Sequence, residues 1–239
     1  MKLLDLTLPS PAENLAADEA LLDAAETSDQ GEVLRFWESA THFVVVGYSN
    51  RVADEVNVKA CEAYKIPILR RCSGGGTVLQ GPGCLNYTLI LRIASDNTLQ
   101  NISLANQFIM GRNRTALQTL LKKPVRIQGY TDLTRGELKF SGNSQRRHRM
   151  FLLFHGTFLL NFDLTLMALL LRFPSKQPDY RESREHEKFL TQLEVSAAEV
   201  KAALTNIWQV SEPLSAFPQS SIEALSREKY STREWSFKF

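Results

Sequence analysis

Two stretches of the sequence combine residue types that can bind an anion or polarise a carbonyl group. The first runs from Arg70 to Val78 and places two arginines shortly before the three consecutive glycines Gly74, Gly75 and Gly76. Glycines let a backbone approach a ligand closely, and their N–H groups can line an anion-binding concavity. The arginines Arg70 and Arg71 add fixed positive charge beside it. A phosphate or a carboxylate is the ligand class that this composition suits.

This glycine-rich stretch matches neither of the common nucleotide-binding fingerprints. The spacing of a Walker loop is absent, and so is the Gly-x-Gly-x-x-Gly pattern of dinucleotide-binding folds. Five glycines lie between positions 74 and 83, in a chain that has only 12. The alternative interpretation is a glycine-rich hairpin loop whose arginines face solvent.

The second stretch contains a lysine in a setting typical of charge stabilisation. Lys139 lies between Leu138 and Phe140, so in a strand its side chain points to the face opposite theirs. The small residues Ser141 and Gly142 leave space beside it. A lysine placed in this way can contact a phosphate or polarise a carbonyl.

Positive charge is concentrated around this lysine. Residues 112–149 carry ten Lys and Arg against the two acids Asp132 and Glu137, a local +8 in a chain whose net charge is +2. Nucleic-acid binding would require aromatic residues interleaved for stacking, and Tyr130 and Phe140 are too few. A solvated basic face remains the alternative, and we expect no nucleic-acid partner.

Other chemistries find little support in the sequence. His155 sits inside an apolar strand, where a lone histidine is more often a satisfied core residue than a catalyst. No Ser-His-Asp order or paired-carboxylate spacing stands out, so hydrolase chemistry is not indicated. Three cysteines, without the spacing of a zinc site or a disulfide framework, predict no metal site built from thiolates or histidines and a reducing compartment.

Hydrophobic periodicity and turn residues predict strands and helices that are intermixed without regular alternation. The predicted helices cover 10–25, 102–121, a segment beginning at 196, and 221–230. The predicted strands cover 33–37, 43–47, 67–71, 86–91, 125–128, 138–141 and 151–160, with the first two forming a hairpin. This arrangement predicts an α+β or mixed α/β fold.

The length and composition indicate one globular domain. The 239 residues include no linker-like tract that would divide the chain, so we expect a single domain over 1–239 without an accessory C-terminal domain. The longest apolar stretches are far shorter than the ~20 residues that cross a bilayer. Asp5 interrupts the N-terminal apolar run, which argues against a signal peptide and predicts a cytoplasmic location without membrane association.

Together these motifs resemble one known family. The string Arg-Arg-x-Ser-Gly-Gly-Gly-Thr-Val at 70–78, the block Lys-Phe-Ser-Gly-Asn-Ser at 139–144 and the His-Gly-Thr at 155–157 are similar to the lipoate-protein ligase branch of the biotin/lipoate ligase superfamily. Weaker similarities at 18–21, 47–50 and 229–235 extend the resemblance from about Leu15 to Phe237.

The resemblance implies both a fold and an activity. The expected fold is a central mixed sheet flanked by helices and related to the catalytic core of class II aminoacyl-tRNA synthetases. The family uses ATP and Mg²⁺ to convert lipoic acid or octanoic acid to an acyl-adenylate, then acylates a lysine of an acidic lipoyl carrier domain. Activation is needed because a carboxylate repels a nucleophile, whereas the mixed anhydride with AMP carries a leaving group.

The matching positions imply roles for individual residues. Lys139 would be the catalytic residue, contacting carbonyl and phosphate oxygens. The residues implied to bind the substrate or adenylate are Arg70, Arg71, Ser73, Gly74, Gly75, Gly76, Thr77, Val78, Asn86, Asp132, Gly142, Asn143, His155, Gly156 and Thr157. Mg²⁺ would enter with ATP, and a separate accessory subunit could supply what an accessory domain does elsewhere.

Differences from the ligase pattern keep more than one mechanism open. Tyr48 stands where ligases usually have an arginine, and Gln80-Gly81-Pro82-Gly83 is similar to the His-Gly-Pro-Gly of octanoyl transferases. Such a transferase would use a cysteine thioester, and arginines beside Cys72 could lower a thiol pKa. However, positions 129–132, just before Lys139, hold no cysteine. The same differences are compatible with a catalytically silent lipoate-binding subunit and, more weakly, with a biotin ligase.

Overall fold

The computed structural model describes residues 1–28, 31–94 and 98–239. The strands are β1 Lys2–Asp5, β2 Val33–Trp37, β3 Phe43–Val46, β4 Ile68–Arg70, β5 Val78–Gln80, β6 Cys84–Arg92, β7 Arg126–Gln128, β8 Asp132–Arg135, β9 Leu138–Arg147, β10 Phe151–Leu159 and β11 Glu212–Pro213. The helices are α1 Pro11–Thr27, α2 Val52–Glu55, α3 Val58–Ala63, α4 Ile102–Leu121, α5 Leu164–Leu170, α6 His186–Phe189, α7 Ala197–Ile207, α8 Gln219–Leu225 and α9 Arg233–Ser236.

Within this described part of the chain, the strands form two sheets. The larger has eight strands in the order β11-β1-β2-β6-β10-β9-β8-β7, and the smaller has the order β4-β3-β5. Pairing is parallel between β11, β1 and β2 and antiparallel from β2 to β7. The larger sheet is therefore mixed, as predicted.

Helices cover both faces of the larger sheet. Alternate residues of β6 and β10, among them Tyr87, Leu89 and Phe154, pack with α4 and α7 in one hydrophobic cluster. The opposite alternation places Ile90 and Leu153 against α1. Because the side-chain period of a strand is two, every residue of β6 and β10 belongs to one face or the other.

Helix α1 begins as its sequence predicts. Ser10 accepts the backbone N–H of Glu13, and the Glu13 carboxylate returns to the Ser10 N–H at 2.8 Å, which completes a capping box. Pro11 occupies the first helical turn, where its missing N–H has no cost. The helix then carries Asp18 and Glu19, both buried, toward the centre of the molecule.

The mixed α/β fold is confirmed, but the predicted hairpin of residues 33–37 and 43–47 is wrong. β2 pairs with β1 and β6 in the larger sheet, whereas β3 pairs with β4 and β5 in the smaller one. Every residue of both strands is buried, so each strand must be covered on both of its faces. The two strands obtain this cover in different sheets. Strand β9 also extends beyond the predicted 138–141, and strands β1, β5, β8 and β11 were not predicted.

Among the described residues, the structure contains no helix that is both long enough and apolar enough to span a bilayer.

Candidate active site

The register between β9 and β10 brings the second sequence motif onto one face of the sheet. Gly142 pairs with Thr157, and Ser144 pairs with His155. Paired residues point to the same side, and positions two apart share a face. These four residues consequently line the face covered by α1, beside the end of Lys139.

Lys139 is held in place by an ion pair. Its Nζ lies 2.8 Å from Oδ1 of Asp132, and the lysine side chain remains 25% exposed. The hydroxyl of Tyr180 donates to the other Asp132 oxygen at 2.7 Å, which fixes the carboxylate from the opposite side. A Cβ added to Gly142 would lie 2.8 Å from Nζ, so the absence of a side chain there admits the lysine. The end of Lys139 therefore fills the space that Gly142 leaves.

The glycine loop closes over the same face. Ser144 Oγ donates to the carbonyl of Gly74 at 2.9 Å, which joins the loop to β9. Gly75 has φ +85°, a conformation that glycine adopts readily. A Cβ built on Gly47 would lie 2.0 Å from the carbonyl oxygen of Gly75. No described residue lies within 4 Å of a Cβ built on Gly74 or Gly76. The loop thus borders open space at these two glycines.

Beyond the glycines, Thr77 and Val78 are partly exposed, and Val78 packs against the hydrophobic cluster that includes Trp37 and Phe43. Among the described residues, the buried Thr77 hydroxyl has no hydrogen-bond partner. Buried polar atoms are normally paired, so this hydroxyl is an exception.

Arg70 does not face this space. Its guanidinium is fully buried and donates to the carbonyls of Gly47, Tyr48 and Asn50 at 2.8 to 2.9 Å. It also donates to carbonyls near the C-terminus, those of Trp235 and Ser236. The alternative of a solvent-facing arginine is therefore wrong for Arg70, whose guanidinium joins backbone segments, and the ligand-binding role implied for it stays a prediction.

Arg71 braces the glycine loop itself. Its Nη2 donates to the carbonyls of Gly74 and Gly76 at 2.5 and 2.7 Å, and its Nε donates to Ser73 Oγ at 3.1 Å. Burial lowers the pKa of Arg71 to about 10, which still leaves it cationic at neutral pH. Positive charge therefore lies directly beneath the loop.

His155 connects the loop to helix α1. Its Nε2 lies 2.6 Å from Ser73 Oγ, and its Nδ1 lies 2.8 Å from Asp18 Oδ2. The sequence indicated no Ser-His-Asp arrangement, but the fold assembles one from residues that are far apart in the chain. Both ring nitrogens of His155 are thus hydrogen-bonded, as in a satisfied buried histidine, and its position beside a nucleotide stays a prediction.

Asp18 is a strongly supported carboxylate. Oδ1 accepts from Arg35 Nη1 at 2.7 Å and from Thr88 Oγ1 at 2.8 Å. Burial by itself raises the pKa of Asp18, but the hydrogen bond from His155 and the charge of Arg35 outweigh burial, so the pKa lies below its ordinary value. The carboxylate is therefore ionised at neutral pH.

A second polar cluster lies on the same face at β5, β6 and β10. Gln80 Nε2 donates to Thr157 Oγ1 at 2.6 Å, Thr157 donates to Asn86 Oδ1 at 2.6 Å, and Asn86 donates to Gln80 Oε1 at 3.1 Å. The three side chains form a closed ring of hydrogen bonds. In this structure, Asn86 and Thr157 are bonded to each other and to Gln80.

Asn143 and Gly156 belong to the opposite face. Asn143 Oδ1 accepts from Tyr87, whose hydroxyl in turn accepts from Asn113 of α4. A Cβ on Gly156 would lie 1.6 Å from Asn143 Oδ1, so the glycine makes room for that amide. The Asn143 side-chain amide also donates to the backbone carbonyl of Thr131, and the Thr131 hydroxyl donates to the backbone carbonyl of Asn143. Asn143 and Gly156 therefore hold the loop before Asp132 from the α4 side of the sheet and do not line the face covered by α1.

The cysteines are not activated. Burial raises the pKa of Cys72 to about 12, and burial raises the pKa values of Cys61 and Cys84 as well. All three are buried free thiols. The expectation that the neighbouring arginines lower a thiol pKa at Cys72 is wrong, because Arg70 and Arg71 are bonded to carbonyl oxygens and desolvation dominates.

The basic stretch 112–149 does not form one continuous solvated face. Arg146 donates to the carbonyl of Cys72, and Arg112 donates to that of Ile207. Arg126 pairs with Glu137 at 3.3 Å. Lys122, Lys123 and other basic residues of this stretch are exposed. Some of the positive charge is thus structural, and the rest is available to a partner.

The sequence interpretation omitted three residues from the site, Asp18, Ser144 and Tyr180. A signal existed for Asp18, which lies three residues after Leu15 and four before Leu22, on the apolar side of a predicted helix. An acid on that face requires a buried partner. No comparable sequence signal exists for Tyr180.

Comparison with known proteins shows the family of the chain. Residues 10–209 match the family model of the lipoyl protein ligase A/B catalytic domain. Octanoyltransferase LipM of Carboxydothermus hydrogenoformans is 27% identical over 261 residues, covering 96% of each chain.

Solved structures show the same fold. The bipartite lipoate protein ligase studied with its E2 lipoyl domain from Thermoplasma acidophilum has a TM-score of 0.83 at 23% identity, covering 99% of this chain and 95% of the other. A lipoate-protein ligase A bound with ATP has a TM-score of 0.80 at 25% identity, covering 99% and 98%.

Proposed function

The chain belongs to the lipoyl protein ligase A/B catalytic domain family, and from this premise we propose that it is an ATP-dependent lipoate-protein ligase. It activates lipoate or octanoate to an acyl-adenylate and transfers the acyl group to a lysine of a lipoyl carrier domain. The observation that carries the proposal is that Lys139 Nζ lies against Gly142, on the same face of β9 from which Ser144 bonds to the glycine loop.

The chain's own residues account for the chemistry of activation. Attack of the carboxylate on the α-phosphate of ATP transfers AMP to the acyl oxygen and releases pyrophosphate. Lys139 stabilises the charge on these oxygens, an effect typically worth ~3 kcal/mol for a preorganised donor. The N–H groups of the glycine loop, with Arg71 beneath, hold the phosphate.

Mg²⁺ fits this site only as a companion of the triphosphate. Among the described residues, no group of three or more His, Cys, Asp or Glu side chains could hold a metal ion. Asp132 is the carboxylate beside Lys139, and its oxygens bind Lys139 and Tyr180. The ion's contribution would be to neutralise phosphate charge.

The alternative function is octanoyl transfer between carrier proteins without ATP. The name of the LipM relative favours it, since that protein is an octanoyltransferase. The thiols argue against a cysteine thioester here, because all three cysteines are buried and burial raises their pKa values.

A carrier domain is the proposed acceptor, and a separate accessory subunit is a proposed partner. Both occur with the T. acidophilum enzyme, which is bipartite and was studied with its E2 lipoyl domain.

Pyrophosphate release with ATP and lipoate tests the proposal. Lys139→Ala is expected to reduce the rate at least ~100-fold, the scale of losing one preorganised donor. Lys201→Ala is the matched control, since Lys201 pairs with Asp5 at 2.7 Å and is 31% exposed, away from the site. ATP-independent acylation from an octanoyl carrier, with no pyrophosphate release, would instead establish the transferase.

A further inference from the structure

We infer that Ser73, His155 and Asp18 form the proton acceptor for the attacking lysine in the transfer step. The inference rests on the proposed function for the identity of the acyl donor. Its basis is a chain of hydrogen bonds that begins at helix α1 and ends under the glycine loop.

The charge of Asp18 defines the proton positions along this chain. An ionised carboxylate only accepts hydrogen bonds, so the His155 nitrogen that faces it, Nδ1, carries a ring proton. When the ring carries that proton alone, Nε2 accepts the hydroxyl proton of Ser73, 2.6 Å away. In this arrangement the histidine can take the proton of the serine hydroxyl, as it does in a Ser-His-Asp triad.

Ser73 Oγ retains the capacity to take up another proton. One lone pair accepts from Arg71 Nε at 3.1 Å, and the hydroxyl proton points to His155. A hydroxyl oxygen has two lone pairs, so one stays available. Ser73 is buried, at 1% exposure, whereas the next residue, Gly74, is partly exposed, so we infer that the amine approaches Ser73 Oγ from the side of Gly74.

The transfer step requires such an acceptor. The carrier lysine has an ordinary pKa of about 10.4, so its ammonium group first loses one proton to water to become the attacking amine, and the nitrogen must lose a second proton as the amine becomes an amide. As the amine nitrogen bonds to the acyl carbon, the bond from that carbon to the phosphate oxygen breaks and AMP leaves with the electron pair. The nitrogen's proton passes to Ser73 Oγ, the hydroxyl proton passes to His155 Nε2, and water later removes it.

The surroundings of His155 support the imidazolium that forms. Asp18 lies against Nδ1, and the carboxylate is itself held by Arg35 from β2 and Thr88 from β6. Asp18 is therefore a positioning residue, whereas Ser73 and His155 are the catalytic ones.

A comparison of two acyl acceptors, hydroxylamine and the carrier lysine, distinguishes a role in proton transfer from a structural role. Hydroxylamine is largely unprotonated at neutral pH and attacks acyl-adenylates without a base, whereas a lysine amine needs one. Chemically prepared lipoyl-AMP is supplied to the protein, so that the transfer step is measured apart from activation. Formation of lipoyl hydroxamate and of the lipoylated carrier domain is then followed in single turnover.

Ser73→Ala and His155→Gln are expected to slow carrier lipoylation at least ~100-fold, within the range of general-base catalysis, and to change hydroxamate formation less than threefold. Asp18→Asn is expected to act similarly, because an amide donor facing Nδ1 favours the wrong tautomer. His148→Gln and Asp23→Asn are matched controls, since His148 and Asp23 lie 3.7 Å apart outside the site. Both should leave the two reactions unchanged.

Each result decides the inference. An equal loss with both acceptors would overturn it in favour of a structural role, and normal carrier lipoylation in Ser73→Ala would also overturn it. Ser73→Ala removes a single oxygen, so thermal melting is expected to show a folded protein even if Asp18→Asn does not fold. A third result separates the inference from the proposed function. If transfer from lipoyl-AMP depends on Ser73 and His155 but the protein releases no pyrophosphate from ATP, the inference is upheld and the proposed activation by ATP is contradicted.

Discussion

Lys139 occupies the space that a side chain at position 142 would fill. A Cβ built on Gly142 lies 2.8 Å from Nζ and 2.9 Å from Cε of Lys139. We expect Gly142→Ala to displace the amine from its ion pair with Asp132 and to lower adenylate formation ~10-fold or more, because a preorganised donor loses its effect when misplaced. Pyrophosphate release measures the change.

The matched control for this substitution is Gly111→Ala. Gly111 lies within α4, and nothing is within 4 Å of a Cβ built on it. This variant should keep full activity and gain up to ~1 kcal/mol of unfolding free energy, because alanine is the better helix former. Unchanged activity in Gly142→Ala would show that Lys139 tolerates displacement.

The chemistry in this site could be predicted where it lies in one continuous stretch of chain. The neighbouring residues in the sequence are sufficient to predict Lys139, Gly142 and the glycine loop as site residues. The contact of His155 with Asp18 joins residues 137 positions apart, and that with Ser73 joins residues 82 apart. Such contacts depend on sheet register and helix packing, which one sequence does not determine.

The same reason explains why the predicted hairpin is wrong and why the backbone partners of Arg70 could not be predicted. Residues 33–37 and 43–47 both have strand composition, but composition does not specify which sheet a strand joins. The positive charge of Arg70 was evident, but its five backbone carbonyl partners come from segments near positions 48 and 235. The local positive charge predicted an anionic ligand, but in the structure backbone carbonyl oxygens accept the hydrogen bonds of Arg70.

Replacement of the cysteines tests the transferase mechanism. We expect Cys61→Ser, Cys72→Ser and Cys84→Ser, singly and together, to leave ATP-dependent acylation substantially intact, because the adenylate already activates the acyl carbon. Burial raises the pKa of Cys72 to about 12, so little thiolate exists at neutral pH. Mass spectrometry should find no acyl-cysteine. An ATP-independent transfer that disappears in Cys72→Ser or Cys84→Ser would contradict the ligase proposal.

Ionic strength should separate the two half-reactions. The stretch 112–149 has a local charge of +8 and includes exposed lysines at 122 and 123, and we propose that it attracts an acidic carrier domain. Salt screens such attraction over ~8 Å at physiological ionic strength, so carrier acylation should slow as salt is raised. Adenylate formation should change little.

Hydroxylamine in place of the carrier is the control for this salt series. An uncharged acceptor is not attracted by the basic residues, so its reaction should not follow the salt concentration. Equal slowing of pyrophosphate release and carrier acylation would mean that the basic residues serve the nucleotide or no partner.

Arg70 should determine stability instead of ATP affinity. Its guanidinium is fully buried and donates to the carbonyls of Gly47, Tyr48, Asn50, Trp235 and Ser236. Because an unpaired buried polar group costs ~1–3 kcal/mol, Arg70→Met is expected to lower the unfolding free energy by at least ~3 kcal/mol. Urea unfolding measures this loss. Arg51→Ala is the control, since Arg51 is 72% exposed and its loss should cost no more than ~0.5 kcal/mol. If Arg70→Met instead keeps its stability and raises the KM for ATP, then Arg70 binds the phosphate, as the sequence resemblance implied.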